Sequence, residues 1–489
     1  MERCASDRAL LLNEEDNDEQ MLGTEPVAAG HGFVPAFAAH NEIEPEIDAH
    51  LREREQDEVV LISNAPTAGY ALTYCVFYLL GIGTMTPWNF FVTAEDYWKY
   101  KFRNTTLNAS SFDEGELTPM QKSFSCDLTL TATISGTTFL LLNAVYGQHV
   151  SLRSKMLVTL ITILVLFGIT TGFVEINTDT WQEQFFLITL ITVVILNISA
   201  ATMSGALYGV AGLFPSEYMT AVVSGQALGG IITALAFILV LAFDAGPSAT
   251  AFVFFIMGAL LIFFCIVCYL TMARQPFFKY YLEGGDKYKV ISALPSHSRQ
   301  EAAADTGVAL EPILREVMGK IYLHAICLGI LFATTLSVYP SITLLMQSEY
   351  SGSHTAWTDV YYLPVVNYLF FNCGDYFGRL LAGYLERPRN SQTTLLWTVA
   401  RIIFVPMLLM SNTSEHQFMP TLIKHDYTFM ALIIMFALSN GYLCNILLIM
   451  APKAVKQHEK ELASSIMAAS LSCGMALGSF MSLIFVQLL

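Results

Sequence analysis

Eleven apolar runs, each near or above the ~20 residues a helix needs to cross a bilayer, constrain this chain more than any other feature. They cover 68–93, 123–147, 155–174, 185–214, 219–243, 249–272, 320–347, 358–385, 392–411, 427–450 and 461–487. A backbone in hydrocarbon must satisfy its own N–H and C=O groups, and unbroken apolar runs of this length do so by winding into helices. The expected fold is an all-α integral membrane protein with eleven transmembrane helices. Composition agrees, since only 13% of the residues are charged, against about 25% in soluble domains.

The formal net charge of −16 lies mostly ahead of the first run, where residues 1–64 hold 16 Asp or Glu against 4 Arg. That stretch is poor in aromatics and broken by Pro26, Pro35 and Pro45. It cannot bury enough surface to fold alone, so residues 1–67 are expected to form a disordered acidic tail. Such a chain lacks the basic surface that phosphate backbones require, which excludes nucleic acid as a partner. Within the tail, Asp7 followed by Leu11 and Leu12 fits an acidic dileucine, an address that clathrin adaptors read for endosomal or lysosomal sorting. No secretory signal peptide is expected, because the first long apolar run starts only near Tyr70. Of the nine cysteines, seven lie inside apolar runs, Cys126 near the start of one and Cys4 in the tail, so no disulfide framework is expected. Cys265 and Cys268 have a metal-like spacing but no histidine nearby, which makes them packing residues; no metal or cofactor is expected.

Basic residues orient the runs. With the tail in the cytoplasm, the inside loops hold 14 Lys or Arg and the outside loops 5, the bias that the positive-inside rule demands. The C-terminus then faces the outside or a lumen. The sequons at Asn104, Asn108 and Asn412 fall on that side and are glycosylation candidates, whereas Asn197 lies within a span and should be unmodified. The longest inside connection, 273–319, is polar and contains Gly284, Gly285, Pro295 and Pro312, as a linker does. It separates a six-helix bundle at 68–272 from a five-helix bundle at 320–489. Two such bundles can rock about a site held between them.

Charges inside a span are expensive and mark function. Asp375 and Arg379 stand four residues apart, so on a helix they share a face and can neutralise each other. Asn372 extends that face, and Gly374 and Gly378 would let a neighbour approach the backbone. The pair fits two roles, a clamp between helices or a binding site for a polar solute in mid-membrane. Arg401 is the other deeply placed charge, held by backbone carbonyls or by Asp127, or else engaged in gating. Trp88, in Pro87-Trp88-Asn89-Phe90-Phe91, offers a flat face that could stack on a planar base or serve as packing. Gln226 is the polar side chain within a glycine-rich pair of spans at 205–230. Pro340, Pro364 and Pro406 are positioned to break helices. Glu461, beside His458 at the mouth of the last span, is a solvated cap or a pH sensor. No P-loop, His-Glu-x-x-His or Gly-x-Ser-x-Gly occurs, so neither ATP-driven pumping nor hydrolysis is supported and no enzyme is expected.

Several stretches, in order, resemble the equilibrative nucleoside transporters: 81–91, the run 205–215 followed by Ser224-Gly225-Gln226, Asn372 with Asp375, Gly378 and Arg379, and Ser439-Asn440-Gly441-Tyr442-Leu443 with Pro452-Lys453. The resemblance implies a major-facilitator-like fold in a 6+5 arrangement. It implies passive exchange of purine and pyrimidine nucleosides such as adenosine and uridine, with nucleobases as a further class. It also implies that Asp375 and Arg379 hold the ribose hydroxyls while Met85 and Trp88 lie against the base. One position departs from the pattern: Ser204 stands where plasma-membrane members often carry glutamine. The long acidic tail with its dileucine resembles the lysosomal branch, so plasma membrane and late endosome or lysosome are both open. The rival readings are a proton-coupled carrier of another polar metabolite and a receptor or scaffold that transports nothing.

Overall fold

The computed structural model describes residues 66, 69–104, 118–146, 150–243, 246–282, 310–353, 355–412 and 421–488. The sorting residues Asp7, Leu11 and Leu12, nearly all of the tail, Asn108, and the side chains of Pro87 and His458 lie outside the described residues. Helices follow one another along the chain: α1 (Tyr70–Thr93), α2 (Glu95–Lys101), α3 (Pro119–Tyr146), α4 (Leu152–Glu175), α5 (Gln182–Leu213), α6 (Ser216–Phe243) and α7 (Pro247–Met272) come first. After them come α8 (Leu310–Val338), α9 (Phe371–Leu385), α10 (Ser391–Ala400), α11 (Phe404–Leu409), α12 (Asp426–Lys453) and α13 (Lys460–Leu488). The first helix of the second group starts at Leu310, inside the stretch read as linker.

Among the described residues, nine helical segments are long and apolar enough to cross a membrane. The two other expected spans are helical too, and each departs for a reason visible in its residues. The α3 helix runs 28 residues but carries many Ser and Thr, which lower its hydropathy; Ser135 Oγ turns back and donates to Thr131 O at 2.7 Å, and Thr137 Oγ1 bonds to Ser472 Oγ of α13 at 3.2 Å. The 358–385 run is wound as a wide π-helix over Trp357–Tyr361 and Pro364–Phe370 before α9 begins. Proline lacks the N–H that an α-helix needs, and the three prolines mark the irregularities. Pro364 opens the second π stretch, Pro340 lies just past the end of α8, and Pro406 follows the 3-10 turn Arg401–Ile403 that divides α10 from α11. The ninth run is therefore two short helices joined by a turn.

Lipid is as apolar as leucine, so helices in a membrane associate through close packing and hydrogen bonds. Glycines decide where backbones touch. A Cβ on Gly81 would strike the Val222 carbonyl oxygen and one on Gly225 the Tyr78 carbonyl oxygen, which places α1 and α6 in backbone contact. The same close approach joins α9 to α12, where Gly378 lies against Leu438 O and Gly441 against Asp375 O. Aromatic side chains fill the remaining space. Trp98 of α2 packs on Phe91, Phe124 and Phe255, and Tyr362, Phe371 and Phe436 anchor a core among the later helices.

Candidate functional site

The α9 helix sorts its residues by face. Gly374, Asp375, Gly378, Arg379 and Ala382 are buried, while Phe377, Leu381 and Tyr384 are exposed. Its small and charged residues thus share the face that meets α12 and α6, while past Phe371, which belongs to the core, Phe377, Leu381 and Tyr384 point away. Asp375 is 4% exposed and Arg379 8%, so neither charge faces lipid. Asp375 Oδ2 accepts from Arg379 at 2.8 Å, as the four-residue spacing requires. Asp375 Oδ1 accepts from Asn440 Nδ2 of α12 at 2.7 Å. Removing one partner of a buried ion pair typically costs about 3–5 kcal/mol, so each charge depends on the other.

Arg379 also reaches across the molecule and donates to Val223 O of α6 at 2.5 Å. Its Nε and the neighbouring Ser224 Oγ are buried without a hydrogen-bond partner in the protein. A buried donor left unpaired costs about 1–3 kcal/mol, so both atoms carry an unmet hydrogen-bonding demand. Asn372, half-buried, donates from Nδ2 to Tyr368 O at 2.8 Å and sets Oδ1 against the backbone of α6 at Gly230.

Facing this pair from the earlier helices is a second polar group. Tyr208 OH of α5 donates to Gln226 Oε1 at 2.7 Å, and Gln226 Nε2 donates to Thr84 Oγ1 of α1 at 3.1 Å. Gln226 is thus held by its own neighbours at both ends of its amide. Ser204 lies one turn before Tyr208 on α5, and Trp88 one turn after Thr84 on α1, so both share faces with this group. Met85 and Trp88 are half-buried on α1.

The hydrogen bonds joining the earlier to the later helices continue from the pair toward the end of the bundle where α6 begins. Tyr78 OH donates to Tyr376 OH at 2.7 Å, and Asn445 Nδ2 donates to Thr220 Oγ1 at 3.1 Å and to Arg379 O at 2.7 Å. At that end Ser216 Oγ donates to Glu386 Oε1 at 2.5 Å, and Lys453 meets Glu386 Oε2 at 2.9 Å. Glu386 has φ 45°, a left-handed conformation that costs a non-glycine residue roughly 1–2 kcal/mol, which its two side-chain bonds offset.

Arg401 has carbonyl and hydroxyl partners on α8 and α12, and Asp127 is not among them. It donates to Leu331 O at 3.2 Å, Thr335 Oγ1 at 2.8 Å, Phe436 O at 3.0 Å and Ser439 Oγ at 3.0 Å. Glu461 is buried against Gly209 of α5, not solvated. Of the sequon residues, Asn104 is exposed, while Asn412 donates from Nδ2 to Gln347 O at 3.0 Å. Cys265 is buried and packs its sulfur against Gly83 of α1. Sequence reasoning gave no role to Tyr208, Thr335, Asn440 and Asn445. Two asparagines five residues apart in an otherwise apolar helix were a sufficient signal, because an amide is costly in hydrocarbon.

Membrane-length helices around a buried, charge-balanced pair that touches both groups of helices define an integral membrane protein with a polar interior. The nucleoside transporter family model matches residues 190–487. Equilibrative nucleoside transporter 1 of Rattus norvegicus is 31% identical over 86% of this chain and 98% of its own length. Equilibrative nucleoside transporter 2 of Homo sapiens is 32% identical over 87% of this chain and 99% of its own, and equilibrative nucleoside transporter 3 of Rattus norvegicus 29% identical over 83% and 87%. The chain belongs to the equilibrative nucleoside transporter family.

Proposed function

We propose that this protein moves purine and pyrimidine nucleosides down their gradients by alternating access. It spans the membrane eleven times in a 6+5 major-facilitator-like arrangement, with 68–272 and 320–489 as the moving halves. The observation that carries this reading is the Asp375–Arg379 pair, buried from lipid and bonded to α6 across the junction of the halves. A ribose diol offers donors to the carboxylate and acceptors to the guanidinium. On this reading Asn372 and Ser204 add polar contacts to the solute, Gln226 supports them, and Met85 and Trp88 supply the surface for the base. The excess of basic residues in alternate loops supports a cytoplasmic N-terminus and a C-terminus outside or in a lumen. On that orientation the bonds at Ser216, Thr220 and Glu386 close the cytoplasmic side.

Uptake of labelled adenosine and uridine into proteoliposomes, at neutral and at acidic pH, tests the reading. Saturable flux without ATP is expected, and its absence at both pH values would sink the proposal. Alternating access has its own test. A Cβ on Gly383 of α9 would lie 3.1 Å from Thr220 Cβ of α6, near the roughly 3.5–4.5 Å of a disulfide. The double variant Thr220→Cys, Gly383→Cys should lose uptake on oxidation and regain it on reduction. Full uptake by the cross-linked protein would exclude rocking at this seam.

The dileucine supports delivery to late endosomes or lysosomes by a clathrin adaptor, and Asn104, Asn108 and Asn412 are the proposed glycan acceptors. Replacing Leu11 and Leu12 with Ala should move the protein to the cell surface, read by surface biotinylation; unchanged placement would remove the motif from the account.

A further inference from the structure

Arg401 sits in the 3-10 turn between α10 and α11 and is 2% exposed. All four of its hydrogen bonds go to neutral groups, and its guanidinium lies 4.1 Å above the Phe436 ring. A buried cation among neutral acceptors is a costly arrangement to keep for packing alone. Its position points to a use, because the bond to Thr335 continues step by step to the solute pair.

The Thr335 hydroxyl lies 2.8 Å from three groups: Arg401 Nη1, Leu331 O and Asn440 Oδ1. Arginine only donates, so toward Arg401 the hydroxyl must accept. Its single proton is then directed at a carbonyl, and Asn440 Oδ1 is one of the two within reach. When it is directed at Asn440, that proton, together with the acceptor-only carboxylate of Asp375 on the other side, fixes which way the Asn440 amide points. With Oδ1 turned to Thr335, the Asn440 NH2 faces Asp375 and donates to Oδ1 of the carboxylate at 2.7 Å. Were the amide reversed, its oxygen would face the carboxylate and repel it. Arg379 holds the other carboxylate oxygen at 2.8 Å, so both ends of the Asp375 carboxylate are located from opposite sides.

We propose that Arg401 is a positioning residue for the solute site, acting through Thr335 and Asn440 to fix the carboxylate of Asp375 toward the sugar hydroxyls. The inference rests on the reading of Asp375 as the ribose contact. Arg401 touches no solute itself. Its contribution is pre-organisation, since a carboxylate free to rotate must be ordered each time a diol binds.

The test uses Thr335→Val, which removes the hydroxyl at nearly constant shape and leaves Arg401 three of its four acceptors, so the variant is expected to fold. Uridine uptake and its inhibition by 2′,3′-dideoxyuridine, which lacks the ribose diol and keeps the 5′ hydroxyl, are measured in proteoliposomes of the full-length protein. A hydrogen bond to a charged group is worth about a tenfold change in affinity or more. The KM for uridine should rise about tenfold, inhibition by the dideoxy analogue should be unchanged, and Thr335→Ser should restore the original values. Arg401→Gln should show the same selective loss wherever it reaches the membrane. An equal weakening of both ligands, or a Thr335→Val protein that still prefers uridine as strongly as the original, overturns the relay. If the unaltered protein does not distinguish uridine from its dideoxy analogue, the ribose reading itself falls and the relay with it.

Discussion

Asp375→Asn is expected to abolish most uptake of adenosine and uridine, and so is Arg379→Ala. Both side chains are buried, and each is the principal electrostatic partner of the other. Either change leaves one charge in an apolar interior, at a cost of about 3–5 kcal/mol. Loss of activity alone therefore cannot separate a solute site from a helix clamp. The neutral double variant Asp375→Asn, Arg379→Gln can, because it removes both charges together and keeps polar groups of similar size. Expression and thermal stability in detergent should recover toward the unaltered protein while uptake stays absent. Recovered uptake in the double variant would return the pair to the role of a clamp.

Gly441→Ala should have an effect of comparable size for a different reason. A Cβ there would overlap the carbonyl oxygen of Asp375, and lie 2.7 Å from its carbon and 3.0 Å from the Arg379 nitrogen. All of these are backbone atoms, so no side chain can swing aside, and α9 must move away from α12. Overpacking of this kind costs about 1–3 kcal/mol. It also lengthens the Asn440 to Asp375 bond, and at reacting centres a misplacement of about 1 Å can cost on the order of a hundredfold. Uptake should fall steeply and the melting temperature should drop by several degrees. Gly172→Ala serves as the comparison, since a Cβ on Gly172 meets nothing within 4 Å. Equal behaviour of the two alanine variants would show that the α9–α12 contact does not govern the site.

How much of this could be read from the sequence depends on the range of the interaction. Asp375 and Arg379 were legible as a pair because both lie on one helix, where spacing alone fixes the face. The irregular windings near Pro340, Pro364 and Pro406 were legible as breaks, because the missing N–H is a property of the residue itself. Neither the partners of Gln226 nor those of Arg401 could be found that way. Gln226 bonds to Tyr208, 18 residues away, and to Thr84, 142 residues away; Arg401 bonds to Thr335, 66 residues earlier. The two candidate holders of Arg401 were equally compatible with the sequence, and packing chose the carbonyls over Asp127.

The sequence by itself determined that this chain enters a membrane as helices, since apolar runs of this length have no other way to satisfy their backbone in lipid. It also determined that one of those helices carries a neutralised pair of charges. The tertiary structure decided what the pair touches: Val223 O on one side, Asn440 and the chain of bonds to Arg401 on the other. The physical reason lies in the glycines, at which helices distant in sequence come into backbone contact. Their spacing shows that a close approach occurs, while the identity of the partner is fixed only when all the helices pack together.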